Sequence, residues 1–334
     1  MHKYFIFLIS LNLFLFIFNL KIAKLYNLYD KPDKKRKFHK FATPLTGGLI
    51  IFINLIFYFI YVLINNDYVY SEYYYSNKTL FIFILLSFST FIIGYLDDKF
   101  DISANKKFII LLFIIYFSIL FDKNLIINDL SFQFTNKEIF LENFSALFSV
   151  LCIMLFINAF NMFDGINSQA SSYATLLILV LIFKGINFNF LYTLLIPLIL
   201  ATIYNYNDKM FLGNTGSLLI STILSLLFIL SYKENKFFAD EIFLFLVFPG
   251  LDLFRLFINR LMKNKNPFSA DTNHLHHLII KRCNLLTTLS LTVGMQGLIF
   301  LIYLYNQIYA IYFIIFLVIY YFTLYLVFKN KNYL

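Results

Sequence analysis

The chain has 334 residues, of which 60% are hydrophobic, 21% aromatic and only 13% charged, with a mean hydropathy of +0.76. That composition excludes a soluble globular enzyme, whose charged fraction is about 25%. The formal charge of +9 does not indicate a nucleic-acid partner, because Lys and Arg fall in loops between apolar runs, where they set membrane topology.

A spanning helix needs roughly 20 mostly apolar residues. Runs of this kind predict spans near 4–23, 46–64, 79–96, 107–121, 145–160, 170–186, 188–204, 217–232, 239–258, 285–305 and 307–328. The reading is an all-α, polytopic bundle of about 10–11 transmembrane helices in a single domain, 1–334, with no Pro/Gly/Ser linker to divide it. The apolar start has no basic n-region and no small-residue cleavage site, so 4–23 is expected to stay as the first helix. Cys152 and Cys283 lie in or beside apolar runs and form neither a disulfide framework nor a CxxC pattern.

With the N-terminus outside, the inner segments carry 20 Lys and Arg and the outer ones seven. This asymmetry predicts a cytoplasmic C-terminus. It also puts five polar clusters on the cytoplasmic face. The first is the basic loop 29–48, "YDKPDKKRKFHKFATPLTGG", where most lysines serve topology and Arg36 and His39 are candidate anion contacts.

The second cluster, "GYLDDKFDIS", ends an apolar helix on Asp97 and Asp98. Adjacent carboxylates near hydrocarbon are costly unless a cation compensates. Mg²⁺ suits them, being held by one or two carboxylates plus substrate phosphates; neutralisation of a solvated helix end by Lys99, Lys106 and Lys107 is the plainer account. In "NAFNMFDGIN", Asn158, Asn161 and Asp164 recur every third residue and so stack along one helical face. Gly165 would then let the chain turn away. The stripe offers one carboxylate and two carboxamides at the mouth of the bundle, although Asn residues also serve simply to join helices.

In "FLGNTGS", Gly213 and Gly216 flank Asn214, and Ser217 is placed to cap the next helix. Such a loop suits an anion at a helix N-terminus, and an ordinary capped loop explains it as well. "ADTNHLHH" holds His274, His276 and His277 near Arg255, Arg260, Lys281 and Arg282. No Cys lies among them and the spacing is not a usual zinc pattern. Phosphate or nucleotide binding fits better, with a basic patch against anionic lipid as the alternative. No internal repeat supports a secondary transporter.

Taken in order, these segments resemble the polyprenyl-phosphate N-acetylhexosamine-1-phosphate transferases, the glycosyltransferase family 4 that includes the phospho-MurNAc-pentapeptide transferases. The resemblance runs from about 29 to 282. It rests on D-x-P…H…P…GG, the Asp97–Asp98 pair followed by Lys107, N-x-x-N-x-x-DG, F-x-G-x-x-GS and H-x-HH. The last form looks more like the polysaccharide-initiating branch.

The resemblance implies that undecaprenyl phosphate attacks the β-phosphorus of a UDP-sugar at a bacterial inner membrane, releasing UMP. It implies Mg²⁺, with Mn²⁺ as a substitute, supported by Asp97, Asp98, Asn161 and Asn214. It gives catalytic roles to Asp97, Asp98, Asp164 and His276. Substrate contacts would come from Arg36, His39, Lys107, Asn158, Asn167, Gly213, His274 and His277. A homodimer is compatible with it and demanded by nothing in the sequence.

The chain departs from the family pattern twice. "DGIN" puts Asn167 where the family has Asp, and "FLGN" puts Asn214 where it has a magnesium-binding Asp. Asn214 keeps an oxygen donor without its charge, which weakens cation binding. Two other readings remain: a non-catalytic lipid-phosphate or nucleotide binder, and a membrane prenyltransferase using "DDKFD" as a DDxxD motif, although only one such motif is present.

Overall fold

The computed structural model describes residues 2–32, 42–64, 77–186, 188–266, 273–306 and 308–329. The helices are α1 (His2–Ile17), α2 (Asn19–Tyr26), α3 (Gly47–Ile64), α4 (Asn77–Phe100), α5 (Ala104–Phe121), α6 (Ser145–Phe163) and α7 (Gln169–Phe183). There follow α8 (Phe188–Tyr206), α9 (Gly213–Lys233), α10 (Ala239–Met262), α11 (Leu275–Ile280), α12 (Leu285–Leu289), α13 (Met295–Asn306) and α14 (Ala310–Lys329). A π-helical turn at Ser290–Gly294 joins α12 to α13. Two small antiparallel sheets complete the chain, β1 (Tyr29–Asp30) with β2 (Thr43–Pro44) and β3 (Asp129–Phe132) with β4 (Thr135–Phe140).

Every predicted span falls on a helix, and the all-α, polytopic architecture holds. Among the described residues, eight helices are long and apolar enough to cross a membrane, or nine if α1 and α2 count as one bent span. Two predicted spans fall short of that standard for physical reasons. Helix α7 has only 15 residues, and α10 carries Asp240, Glu241, Asp252, Arg255 and Arg260 within its 24. The first span also needs correcting. It breaks at Phe18 and α2 departs at 65°, burying Asn19 and Ala23 while exposing Leu20 and Leu25. An apolar helix that ends in Lys21 and Lys24 is better served by lying along the interface than by continuing through lipid.

Helix α9 is the axis of the bundle, with every residue from Thr215 to Tyr232 buried. Lipid tails are as apolar as Leu, so helices associate in a bilayer through close packing of small residues and a few polar contacts. A Cβ on Gly48 would lie 2.2 Å from the backbone N of Gly216, and one on Gly94 would lie 2.5 Å from Cα of Thr215. Helices α3 and α4 therefore touch α9 backbone to backbone. The first amides of α3 are not left open: Gly47 and Gly48 donate to the carbonyls of Phe211 and Leu212 at 3.1 and 3.0 Å. Along α9, Ser221, Thr222, Ser225 and Ser231 return their hydroxyls to carbonyls of their own helix, which lets polar side chains sit inside the bundle. Deeper in the membrane, Asn12 of α1 and Asn54 of α3 exchange amide hydrogen bonds at 2.8 and 3.1 Å.

At the C-terminal end of α9, the chain between α5 and α6 contains the β3–β4 hairpin, which hydropathy alone does not distinguish from a plain loop. The hairpin is fastened from several sides. Tyr232 bonds Ser131, Asp240 accepts from the amide of Gln133 at 2.9 Å, and Lys233 donates to the carbonyls of Lys123 and Ile126. Beside it, Lys184 and Glu241 form an ion pair of 2.6 Å.

Candidate active site

The opposite end of α9 is where the sequence clusters meet. Helix α4 ends there on Asp97 and Asp98, and the two carboxylates have separate partners. Asp97 is buried and pairs with Lys107 of α5 at 2.7 Å. Asp98 faces the start of α9. One of its oxygens accepts from the amide of Asn214 at 2.8 Å, and the other accepts from the amide of Thr215 at 2.9 Å and from the Thr215 hydroxyl. A carboxylate thus caps a helix N-terminus, where the orphan amides and the helix dipole favour negative charge.

This corrects two expectations about "FLGNTGS". Ser217 is not the cap, because α9 already begins at Gly213, and Ser217 instead donates to the side-chain oxygen of Asn161 at 2.7 Å. The glycine loop does cradle an anion, but the anion is the chain's own Asp98. Gly213 has φ +73°, and a Cβ there would lie 2.6 Å from an Asp98 oxygen. Both facts require glycine at that position.

Helix α6 brings the third cluster to the same end. Asn158 and Asn161 lie on the helix and Asp164 closes it as C-cap. Asn158 commits its amide to the Met154 carbonyl at 2.7 Å, while Asn161 reaches α9. Asp164 is half-buried and its side chain takes no hydrogen bond among the described residues. Burial, with the nearby Asp98 charge adding to it, pushes its carboxyl up to about 7.

The reason for Gly165 is also other than expected. Its φ is not left-handed, but a Cβ would lie 2.0 Å from Nε2 of His276. Glycine is there because the histidine segment closes directly over the end of α6.

His276 is buried, and its Nε2 finds no partner among the described residues. Its ring stands edge-on to Phe163 with centroids 6.2 Å apart. It lies 5.3 Å from the ring of His274 and 4.3 Å from that of His277. Burial holds its pKa well below the usual imidazole range, helped by repulsion from His277 and His274 and opposed by Asp252. His276 is therefore a neutral imidazole near neutral pH.

Asp98, Asn161, Asp164, Asn214 and His276 are thus linked through direct contacts or neighbouring charge, with Asp97 and Lys107 beside them. Asn167 is turned elsewhere and donates to Asp208 at 2.6 Å in an exposed position. Arg36 and His39 lie outside the described residues. Sequence reading missed two residues of this end, Thr215 and Asp252, and gave Ser217 another role. Asp252 had a readable signal, being a carboxylate within an otherwise apolar predicted span, which is a functional flag by default.

Among the described residues, no group of three or more His, Cys, Asp or Glu could hold a metal ion alone. Mg²⁺ needs no such group, since it commonly takes one or two carboxylates and fills its sphere with water and substrate phosphate. Asp164, whose side chain takes no hydrogen bond among the described residues, fits that kind of shared site. Asp98 is already engaged through both oxygens.

Fold and site together define a polytopic membrane protein with one polar, carboxylate- and histidine-lined end. The profile of glycosyl transferase family 4 matches residues 80–232, just under half of the chain. The undecaprenyl-phosphate alpha-N-acetylglucosaminyl 1-phosphate transferase of Thermotoga maritima is 28% identical over 292 residues, covering 87% of this chain and 86% of its own. The protein of that name from Escherichia coli K12 is 29% identical over 284 residues, covering 81% of this chain and 73% of its own.

Proposed function

We propose that this chain transfers an N-acetylhexosamine 1-phosphate from a UDP-sugar to undecaprenyl phosphate, opening the synthesis of a cell-envelope polysaccharide on the cytoplasmic face of a bacterial inner membrane. One observation carries the reading. Carboxylate, amide and imidazole groups from α4, α6, α9 and the histidine segment meet at a single end of the bundle, with the Asp164 carboxyl and His276 Nε2 left without hydrogen-bond partners there among the described residues. The similarity to the two transferases supplies the acceptor and the sugar class.

The chemistry asked of such a site is modest. An oxygen of the lipid phosphate forms a bond to the β-phosphorus of the donor, and the bond from that phosphorus to the bridging oxygen breaks, so UMP leaves with the electron pair. A phosphate monoester with a second pKa of about 6 is already largely dianionic at neutral pH, so little base catalysis is needed. What remains is positioning and stabilisation of charge.

His276, kept neutral, donates a hydrogen bond to a phosphoryl oxygen without adding a buried charge. Lys107 offsets Asp97 and keeps a positive group at the mouth of the site. Asp98 fixes the start of α9 and with it the backbone beside Asn214. Asp164 would hold Mg²⁺ with Asn161 and Asn214 as neutral oxygen donors, and the ion would supply charge compensation for the diphosphate. Asparagine at position 214 leaves this set one charge poorer than the family pattern, which motivates a second reading as a non-catalytic binder.

The test is to incubate purified protein with undecaprenyl phosphate, Mg²⁺ and a panel of UDP-N-acetylhexosamines, and to measure UMP. The expected result is UMP with one donor and a matching lipid diphosphate-sugar. No UMP from any donor, with release restored by Asn214→Asp, supports the binder instead. Inorganic diphosphate released from a prenyl diphosphate would establish a prenyltransferase and overturn the proposal.

A further inference from the structure

The histidine segment is fastened by a buried group outside the family match and outside every motif recognised in the sequence. Asp252 lies in α10, is 4% exposed, and uses both oxygens. One oxygen accepts from the hydroxyl of Tyr321 of α14 at 2.7 Å, from Arg255 at 2.8 Å and from the amide of Leu275 at 3.1 Å. The other lies 2.7 Å from Nδ1 of His274. Arg255 also donates to the Asn273 carbonyl at 2.8 Å and to the Tyr321 oxygen at 2.7 Å, and its guanidinium covers the Tyr325 ring at 4.4 Å. The chain entering α11 is thereby tied to α10 and to the C-terminal helix.

The contact with His274 has a chemical consequence. An ionised carboxylate can only accept, so the imidazole must carry its proton on Nδ1. The carboxylate on that nitrogen also commits Nε2 to face the neighbouring groups. His274 stacks on His276 with an interplanar angle of 11°, so its other edge lies beside the unpartnered histidine over Gly165. The charged and titratable groups around it are Asp252 and Arg255 from α10, His276 and His277 from its own segment, and Tyr321 from α14.

We propose that Asp252 is a positioning residue of the site: it fixes His274 in the Nδ1-protonated form and so aims the Nε2 edge of the ring at the substrate side, beside His276. This rests on the transferase reading for the identity of the substrate, but the state of the His274 ring can be read without any turnover. The two histidines then divide the work: one is oriented by a buried carboxylate, and the other offers an unpartnered neutral ring.

The experiment pairs two measurements on the full chain and on Asp252→Asn. In that variant the new side-chain amide would donate to Nδ1 and reverse the tautomer. The first measurement is ¹⁵N imidazole spectroscopy of histidine-labelled protein, with His274→Gln used to assign the signal. A proton on Nδ1 in the wild type that is lost in D252N supports the proposal, and a bare Nδ1 in the wild type overturns it even if the variant fails to fold.

The second measurement is kcat/KM for UMP release at matched folding. D252N is expected to lose at least tenfold together with the Nδ1 proton signal. Loss of that proton signal with unchanged kcat/KM would overturn the proposal. Wild-type protein that yields no UMP would remove the transferase reading while the ring spectra still decide the role of Asp252.

Discussion

At the scale of single residues, the site is shaped as much by what must be small as by what is charged. Gly165 leaves room for the His276 ring, so Gly165→Ala is expected to displace that ring and cut UMP release at least tenfold, about 1.4 kcal/mol in the barrier. Thermal stability should change little, because the ring is a side-chain end that can swing away. Unchanged kinetics would show that His276 is not part of the chemistry. Gly48 is the contrasting case, since a Cβ there meets the α9 backbone. Gly48→Ala should destabilise the protein by roughly 1–3 kcal/mol, as overpacking generally does, and a melting curve would show it. Both glycines are visible in the sequence within recognised motifs, but the reason for each is not. A motif records that no side chain is tolerated and does not say whether a phosphate, a ring or another backbone takes the space.

At the scale of elements, helices are easily read and their partners are not. Apolar runs locate every span because the bilayer imposes both length and composition. The same uniform apolarity hides which face of each helix meets α9, since lipid-facing and core-facing positions are both hydrophobic. Polar exceptions carry the legible information. The Asp97–Asp98 pair points to a site, and the structure divides it: Asp97 goes to Lys107 and Asp98 to the N-terminus of α9. The break at Phe18 escapes reading because it barely interrupts an apolar run, and the β3–β4 hairpin because hydropathy does not tell it from a plain loop. The Asn12–Asn54 exchange makes a prediction at this level. Asn12→Ala removes the donor to the Asn54 side-chain oxygen inside the bundle and should lower stability by about 1 kcal/mol, within the range for hydrogen bonds between spanning helices. An unfolding titration in bicelles that shows no loss would mean the pair is not holding α1 to α3.

At the scale of the whole molecule, the chain is polar at two ends with different characters. One end is a fastened structure of hairpin and ion pairs, and the other gathers the motifs. The basic-residue asymmetry predicts that the motif end faces the cytoplasm. In a background with Cys152 and Cys283 replaced, Lys137→Cys on the hairpin should react with an impermeant maleimide in intact cells, and Lys209→Cys near the site should react only after permeabilisation. The reverse pattern would put the site on the wrong side for a nucleotide donor. The deepest dependence, however, is on Asp164 and His276 acting on one substrate. The most direct measurement is UMP release by Asp164→Asn and by His276→Gln, each compared with wild type at matched folding. The account predicts a loss of at least 100-fold in both, about 2.7 kcal/mol, with melting temperatures nearly unchanged. Near-wild-type turnover in either variant would contradict it.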